Sequence, residues 1–464
     1  MKNKNTAYYL LPNVEEFQVS GFRLNFMTCT CDKLSGLRLI TTLKKSITFT
    51  RIFYCPIFFL TLKITLLQIL HRYPSLNQHK FSPMKLTKTF KAFFNNEKSG
   101  GLLLLFVTLI SLYLANSPFQ TDYVAFWEKD LGGHSITHWI NDGLMTIFFL
   151  LIGLELEREI YHGELSSIKN ASLPLMAALG GMLVPAGIFL ALNYGTATQN
   201  GAGIPMATDI AFAIGILSLL GNRVPSSLKV FLTALAVIDD LGAIIVIAVF
   251  YTSSISFLNL GIALAIWGFL FILNRKQVHN VIPYLIGGVF MWYFMLNSGV
   301  HATITGVILA FVIPFGDGGE NSVSYKLQHF LHKPVAFLIL PLFAIANTCI
   351  AIESDWHQGL DHPNTFGIVL GLVVGKPLGI LLFSFLGVTA GFCALPNRLK
   401  WKHILGAGML GGIGFTMSIF ITILAFKDPE TIVFSKIAIL IASILSGIFG
   451  FVYLKFVLKK KKTS

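Results

Sequence analysis

The chain has 464 residues, of which 54% are hydrophobic and only 12% charged, with a mean hydropathy of +0.70. A soluble globular chain carries roughly 25% charged residues, so an ordinary cytosolic enzyme and a disordered chain are excluded, and five Cys, three of them (Cys29, Cys31, Cys55) crowded near the start, exclude a disulfide scaffold. The formal charge of +13 does not point to nucleic acid, because the basic residues lie between apolar runs, as membrane-loop charges do. What remains is an all-α polytopic membrane protein.

Residues 1–83 differ from the rest. They hold eleven Lys and Arg against Glu15, Glu16 and Asp32, or +8 of the total charge. They show no helical period and no small-residue cleavage site. Their best apolar run, 52–70, contains Lys63 and follows Arg51, which makes a poor span. The run is followed by Met84, a Lys-rich amphipathic stretch and a clean apolar helix from Gly100. Met84 is therefore read as the start of the transmembrane domain, 84–464. Residues 1–83 are read as a mis-called or poorly ordered extension, the rival being an extra anchor at 52–70.

A spanning helix needs about 20 mostly apolar residues. Twelve segments are predicted after Met84: 100–116, 139–160, 173–194, 204–220, 227–252, 257–273, 281–296, 300–315, 333–352, 366–387, 403–426 and 431–457. With the Met84 end placed in the cytoplasm, nearly all basic loop residues fall inside, among them Arg158, Lys169, Arg223, Arg275, Lys276, Arg398 and Lys459 to Lys462. Only Lys129 and Lys427 fall outside. This asymmetry sets both ends of 84–464 on the cytoplasmic side. The terminal lysines read as a stop signal in contact with membrane lipids.

Ionisable residues at membrane depth are costly and mark function by default. In 227–252 the midpoint falls between Asp239 and Asp240. Two adjacent anions in a low dielectric repel, so the pair holds a proton unless a cation replaces it. In 204–220, Gly203 and Pro205 weaken the helix start, and Thr208 sets a hydroxyl beside the Asp209 carboxylate. Hard monovalent cations want such oxygens, and a broken helix frees backbone carbonyls for them; Asp209 as a plain helix cap is the bland reading, and both can hold. In 366–387, Lys376 sits at mid-membrane before Pro377 and needs an anionic partner, for which the three aspartates are the candidates. Gly406, Gly408, Gly411, Gly412 and Gly414 interrupt 403–426, which suits either close packing or an unwound stretch.

These residues resemble the NhaA sodium/proton antiporters. The resemblance rests on Ala207-Thr208-Asp209-Ile210-Ala211-Phe212, Asp239-Asp240-Leu241-Gly242-Ala243, Gly375-Lys376-Pro377-Leu378-Gly379 and Gly412-Ile413-Gly414-Phe415-Thr416-Met417-Ser418. Trp139-Ile140-Asn141-Asp142 and Gly299-Val300-His301-Ala302 add to it, and it covers about 95–457. It implies inverted repeats with two interrupted helices crossing at mid-membrane, a pattern general to secondary transporters and drawn in part from this very family. It also implies that Asp209 and Asp240 form the Na⁺ site and exchange the ion for protons, with Thr208 nearby. Asp239 is implied to pair with Lys376, and Asp209 and Lys376 to compensate opposite half-helix ends. The implied activity is export of one Na⁺, or Li⁺, for two H⁺ across a bacterial inner membrane. Three aspartates less one lysine give −2, a charge that can lose two protons and take one cation. No enzyme activity and no cofactor are implied.

The resemblance places pH sensing at the cytoplasmic face. Glu155, Arg158 and Glu159 at the inner end of the second span match that region. His329 and His332 are read in the loop before the ninth span and His301 at the start of the eighth, and histidine titrates near physiological pH. Gln328 stands where the family's best-known member has an acidic residue implicated in the pH response. A homodimer is the assembly the resemblance adds, although 117–138 is shorter than the dimerising β-hairpin of that member. Two rivals fit less well. An intramembrane aspartyl protease needs its aspartates on different helices, usually in a Gly-x-Gly-Asp motif that is absent here. A sodium-coupled solute symporter needs a further polar set for an organic substrate.

Overall fold

The computed structural model describes residues 18–19, 22–23, 97–252, 255–352, 359, 361–396 and 399–458. Backbone contacts divide the chain into two units, Met1–Met84 and Lys85–Ser464. In the first, β1 (Gln18–Val19) pairs antiparallel with β2 (Phe22–Arg23), Val19 facing Phe22. The weak span at 52–70, the start at Met84 and the basic residues Lys85, Lys88, Lys91, Arg398 and Lys459 to Lys462 lie outside the described residues.

The second unit is helical. It opens with α1 (Glu97–Ala115) and the short α2 (Gln120–Glu128), which follows at a bend of 115°. Next come α3 (Ile136–Tyr161), α4 (Ile168–Asn193), a 3₁₀ segment (Gln199–Met206) with α5 (Ile210–Leu219), and α6 (Ser226–Phe250). They are followed by α7 (Phe257–Arg275), α8 (Ile282–Leu296), α9 (Ile304–Ala310), α10 (Val323–Asn347) and α11 (Pro363–Thr389). The chain closes with α12 (Trp401–Gly411), α13 (Phe415–Ala425) and α14 (Pro429–Val457).

Each of the twelve predicted segments falls on a helical stretch, but they are unequal. Among the described residues eight helices are long and apolar enough to cross a membrane, and ten if each of two bent pairs is one span. The segment 281–296 becomes the 15-residue α8, and 300–315 the seven-residue α9. At 1.5 Å per residue, these reach about 22 and 10 Å, short of a hydrocarbon core of about 30 Å. Helix α10 starts ten residues earlier than expected. Ser322 caps it, its hydroxyl accepting from the Tyr325 N–H at 3.2 Å, and Ser324, Leu327 and Leu331 line its buried face. His329 and His332 therefore lie on a helix and not in a loop, a correction traceable to that cap and amphipathic turn. His301 lies in the turn three residues before α9. The segment 117–138 holds α2 and a single bridge, Asp130 to Ser135.

Between lipid-exposed helices there is no hydrophobic force to drive association, so small residues and close contact do the work. Gly180 on α4 and Gly379 on α11 meet face to face. A Cβ on Gly180 would overlap the Gly379 carbonyl and come within 2.6 Å of the Phe383 Cβ, and one on Gly379 would come within 2.9 Å of the Val184 Cβ. Outward faces remain apolar, as at Phe106, Leu258, Val289 and Phe456. Helix α11 widens into a π-turn over Gly371–Gly375. Pro377 has no N–H to return to the Val373 carbonyl, and the turn absorbs that defect just before Lys376.

Gly379→Val should cost on the order of 1–3 kcal/mol of stability through overpacking. The measurement is the thermal midpoint of purified protein in detergent. Gly261→Ala on α7, where an added Cβ meets nothing within 4 Å, should leave the midpoint unchanged or raise it.

Candidate functional site

Two broken helices make the site. The first runs from the 3₁₀ segment Gln199–Met206 through Ala207 and Asp209, both extended, into α5. Gly203 and Pro205 explain the failure of regular α-helix there. The second bends by 50° between α12 and α13 at Gly412-Ile413-Gly414. The breaks satisfy each other. The Asp209 N–H donates to the Ile413 carbonyl at 2.7 Å. The Ser418 hydroxyl donates to the Ile204 carbonyl at 2.7 Å.

Asp209 caps two half-helices at once. Its Oδ1 accepts from the Phe212 N–H of α5 at 3.0 Å. Its Oδ2 accepts from the Thr416 N–H of α13 at 3.1 Å and from the Thr416 hydroxyl at 2.5 Å. A carboxylate between two helix N-termini is stabilised by both sets of free N–H groups and both dipoles.

Lys376 and Asp239 form the opposite element. Lys376 Nζ lies 2.8 Å from Asp239 Oδ2, with both side chains fully buried. Nζ also donates to the Met206 carbonyl, the end of the 3₁₀ segment. The Thr208 Oγ1 lies 2.8 Å from Asp239 Oδ2 and 2.9 Å from the carbonyl of Gly411, the last residue of α12. Its single proton serves one acceptor at a time. Cation and hydroxyl thus sit where the broken helices end in free carbonyls, while Asp209 sits where they restart.

Asp240 differs from its neighbours. It is fully buried, and neither carboxylate oxygen has a hydrogen-bond partner; the same holds for Asp239 Oδ1. Asp240 lies within electrostatic reach of Asp239, Asp209, Lys376 and Glu155. Unpaired buried acceptors are rare and expensive. Here they provide the oxygens that a proton or a hard cation needs. The structure therefore brings Thr208, Asp209, Asp239, Asp240 and Lys376 to one crossing.

The six candidates for pH sensing do not come together. At the end of α3, the Arg158 guanidinium lies over the Tyr325 ring at 4.6 Å, and its Nη1 donates to the Gln328 Oε1 at 3.4 Å. His329 stacks on the same Tyr325 ring, with centroids 4.5 Å apart. These contacts tie α3 to α10. Half-buried Glu155 and Glu159 belong to the same end of α3, and His332 follows one turn after His329. His301 is elsewhere. Its Nε2 donates to the Tyr251 carbonyl at 3.0 Å, and it faces Asp142, which His138 Nδ1 approaches to 3.2 Å. Asp142 and Arg158 are 16 residues apart on one helix, about 24 Å. His301 thus belongs to the opposite end of α3.

Sequence reasoning missed Thr416 as a partner of Asp209, although it lies two residues beyond Gly414, where a half-helix restart places a cap. It also missed Glu157, which is buried, within hydrogen-bonding reach of Ser324, and has an Oε2 without a partner. Alternation in Leu154-Glu155-Leu156-Glu157 hid it, because every second position reads as exposed.

Comparison with known proteins adds a family. The profile described as "Na+/H+ antiporter 1" matches residues 91–454. "Na(+)/H(+) antiporter NhaA 1" of Flavobacterium johnsoniae is 83% identical over 381 residues, covering 82% of this chain and 100% of that protein. "Na(+)/H(+) antiporter NhaA" of Flavobacterium psychrophilum is 65% identical over 81% of this chain and 98% of its own. Its namesake in Cytophaga hutchinsonii is 63% identical over 81% and 97%.

Lys376→Met should destabilise the protein by about 3–5 kcal/mol, because it leaves the Asp239 carboxylate buried without a counter-charge. Adding Asp239→Asn should recover most of that loss. Thermal unfolding in detergent reads both. Equal losses in the single and double variants would mean that Lys376 contributes something other than the ion pair.

Proposed function

From the premise that the chain belongs to the Na+/H+ antiporter 1 family, and so exchanges Na⁺ for H⁺ across a bacterial membrane as a multi-pass protein, we propose that Asp240 and Asp209 bind the transported ion at the crossing of the two broken helices. The carrying observation is Asp240: a fully buried carboxylate with both oxygens unpaired, next in the chain to the Asp239 of the buried ion pair. Charge decides what it takes. Lys376 neutralises one of three carboxylates, so the ionised site stands at −2. Two protons restore neutrality, and one Na⁺ with its single charge leaves −1. That arithmetic permits an exchange of two H⁺ for one Na⁺, and Li⁺, a hard cation of the same charge, suits the same oxygens.

The cycle runs as a competition. At alkaline internal pH, Asp240 and Asp209 lose their protons and take Na⁺ from the cytoplasm. A rocking movement of the helices exposes the site outward, where protons displace Na⁺. Only the Na⁺-bound and protonated forms cross readily, because the empty site carries −2 through the hydrocarbon, where the Na⁺-bound site carries −1 and the doubly protonated site none. Asp239 is the third carboxylate; it stays ionised against Lys376, so the two exchanged protons are those of Asp240 and Asp209. The side with more basic loops is the cytoplasm of a bacterial inner membrane. Arg158, Tyr325, Gln328 and His329, with Glu155, Glu159 and His332, form the pH-responsive contact between α3 and α10 on that side. His301 lies at the opposite end of α3 and takes no part in this contact.

The test uses everted vesicles from an antiporter-deficient bacterial host, acidified inside by respiration and followed with a pH-sensitive dye. NaCl and LiCl should dissipate the gradient and KCl should not. The response should rise with pH, since protons compete with Na⁺ for the same carboxylates. Asp240→Asn should fall to the level of vesicles without the protein. Normal exchange in Asp240→Asn would refute the site.

A further inference from the structure

Asp209 poses a problem for its own role. Its side-chain hydrogen bonds are spent on helix ends: Oδ1 on the Phe212 N–H, Oδ2 on the Thr416 N–H and hydroxyl. To hold a cation it must give up at least part of this set. The first N–H groups of α13 would then be bare in a setting without water, at the point where the helix is already broken.

Helix α14 supplies a second attachment. The Phe415 N–H, the residue before Thr416, donates to the Ser443 Oγ at 3.1 Å. Ser443 and Phe415 are both buried. Ser446, three residues on and so on the same face of α14, points at the same break: a Cβ on Gly412 would come within 2.7 Å of its Oγ. Gly412 is thus the residue that lets the serine face of α14 close on the bend. The start of α13 has two independent holds, one from Asp209 and one from Ser443, and only the first is a group that the ion engages.

We infer that Ser443 is a positioning residue that keeps the start of α13 in place while Asp209 exchanges its hydrogen bonds on Thr416 for the transported cation. This rests on the assignment of Asp209 to the ion site. Without Ser443, Asp209 is the remaining cap, and the cation must draw it from a helix end that has no other hold. The consequence is weaker Na⁺ binding rather than slower movement of the loaded form.

Ser443→Ala and Ser443→Thr are compared with the unaltered full chain in vesicles or proteoliposomes, at equal amounts of protein in the membrane and fixed pH. For Ser443→Ala, the apparent KM for Na⁺ should rise about five- to tenfold, the range that one hydrogen bond supplies. The rate at saturating Na⁺ should stay within about twofold of the unaltered protein on the same reasoning. Ser443→Thr, which keeps the hydroxyl, should restore the KM. An unchanged KM in Ser443→Ala overturns the inference, as does an equal defect in Ser443→Thr, which would mark a packing role. Asp240→Asn is measured alongside. If it is inactive while Ser443→Ala has a normal KM, only the role of Ser443 falls; if it is active, the ion site and this inference fall together.

Discussion

In hydrocarbon every backbone N–H and C=O needs a partner from the protein, and this constraint governs the whole arrangement. A helix that breaks at membrane depth exposes carbonyls on one side of the break and N–H groups on the other. This chain breaks two helices and lets them repair each other. Asp209 closes the starts of α5 and α13, Lys376 and Thr208 meet the ends at Met206 and Gly411, and direct bonds run from the Asp209 N–H to Ile413 and from Ser418 to Ile204. The same side chains that serve as caps carry the charge at the crossing. With the proposed ion site there, transport would act on the hydrogen bonds that hold the two breaks together.

The electrostatics follow from that repair. A buried ion pair is weak evidence of stability, because desolvation can exceed the attraction. Lys376 and Asp239 gain from the further bonds around them, to Met206 and Thr208. Asp240 has no such support. Its neighbour Asp239 is neutralised by lysine, Asp209 is held by N–H groups, and Asp240 alone is left with two open oxygens. The position that is least satisfied is the position where an ion or a proton gains most. Packing around the crossing must then be tight and yet movable. The glycine contact between α4 and α11 and the π-turn before Lys376 supply closeness and a local defect.

The Arg158 end of α3 is organised around one aromatic ring. Tyr325 takes the Arg158 guanidinium over its ring and stacks with His329, and these contacts join α3 to α10. Gln328 takes a hydrogen bond from Arg158 but brings no charge of its own. Helix α3 then runs from this end to Asp142 and the vicinity of His301, and Glu155 on it lies within electrostatic reach of Asp240.

Much of this was legible in the chain alone. Apolar length identifies the helices, and the intramembrane residues Asp209, Asp239, Asp240 and Lys376 are conspicuous because hydrocarbon tolerates charge so poorly. Gly203 with Pro205 and the run Gly411-Gly412-Ile413-Gly414 mark the breaks by the same local chemistry that makes them. The seven residues of α9, the helical placement of His329 and His332, and the burial of Glu157 were not legible, since helix ends and exposed faces depend on neighbours far along the chain. Sequence by itself determined which groups are charged at membrane depth and where helices fail, because those are local properties. The pattern of residues left the lysine's partner open and the family resemblance only implied Asp239; the tertiary structure decided that pairing, the second cap of Asp209 on α13 and the open oxygens of Asp240, because each requires atoms from separate helices to meet at one point.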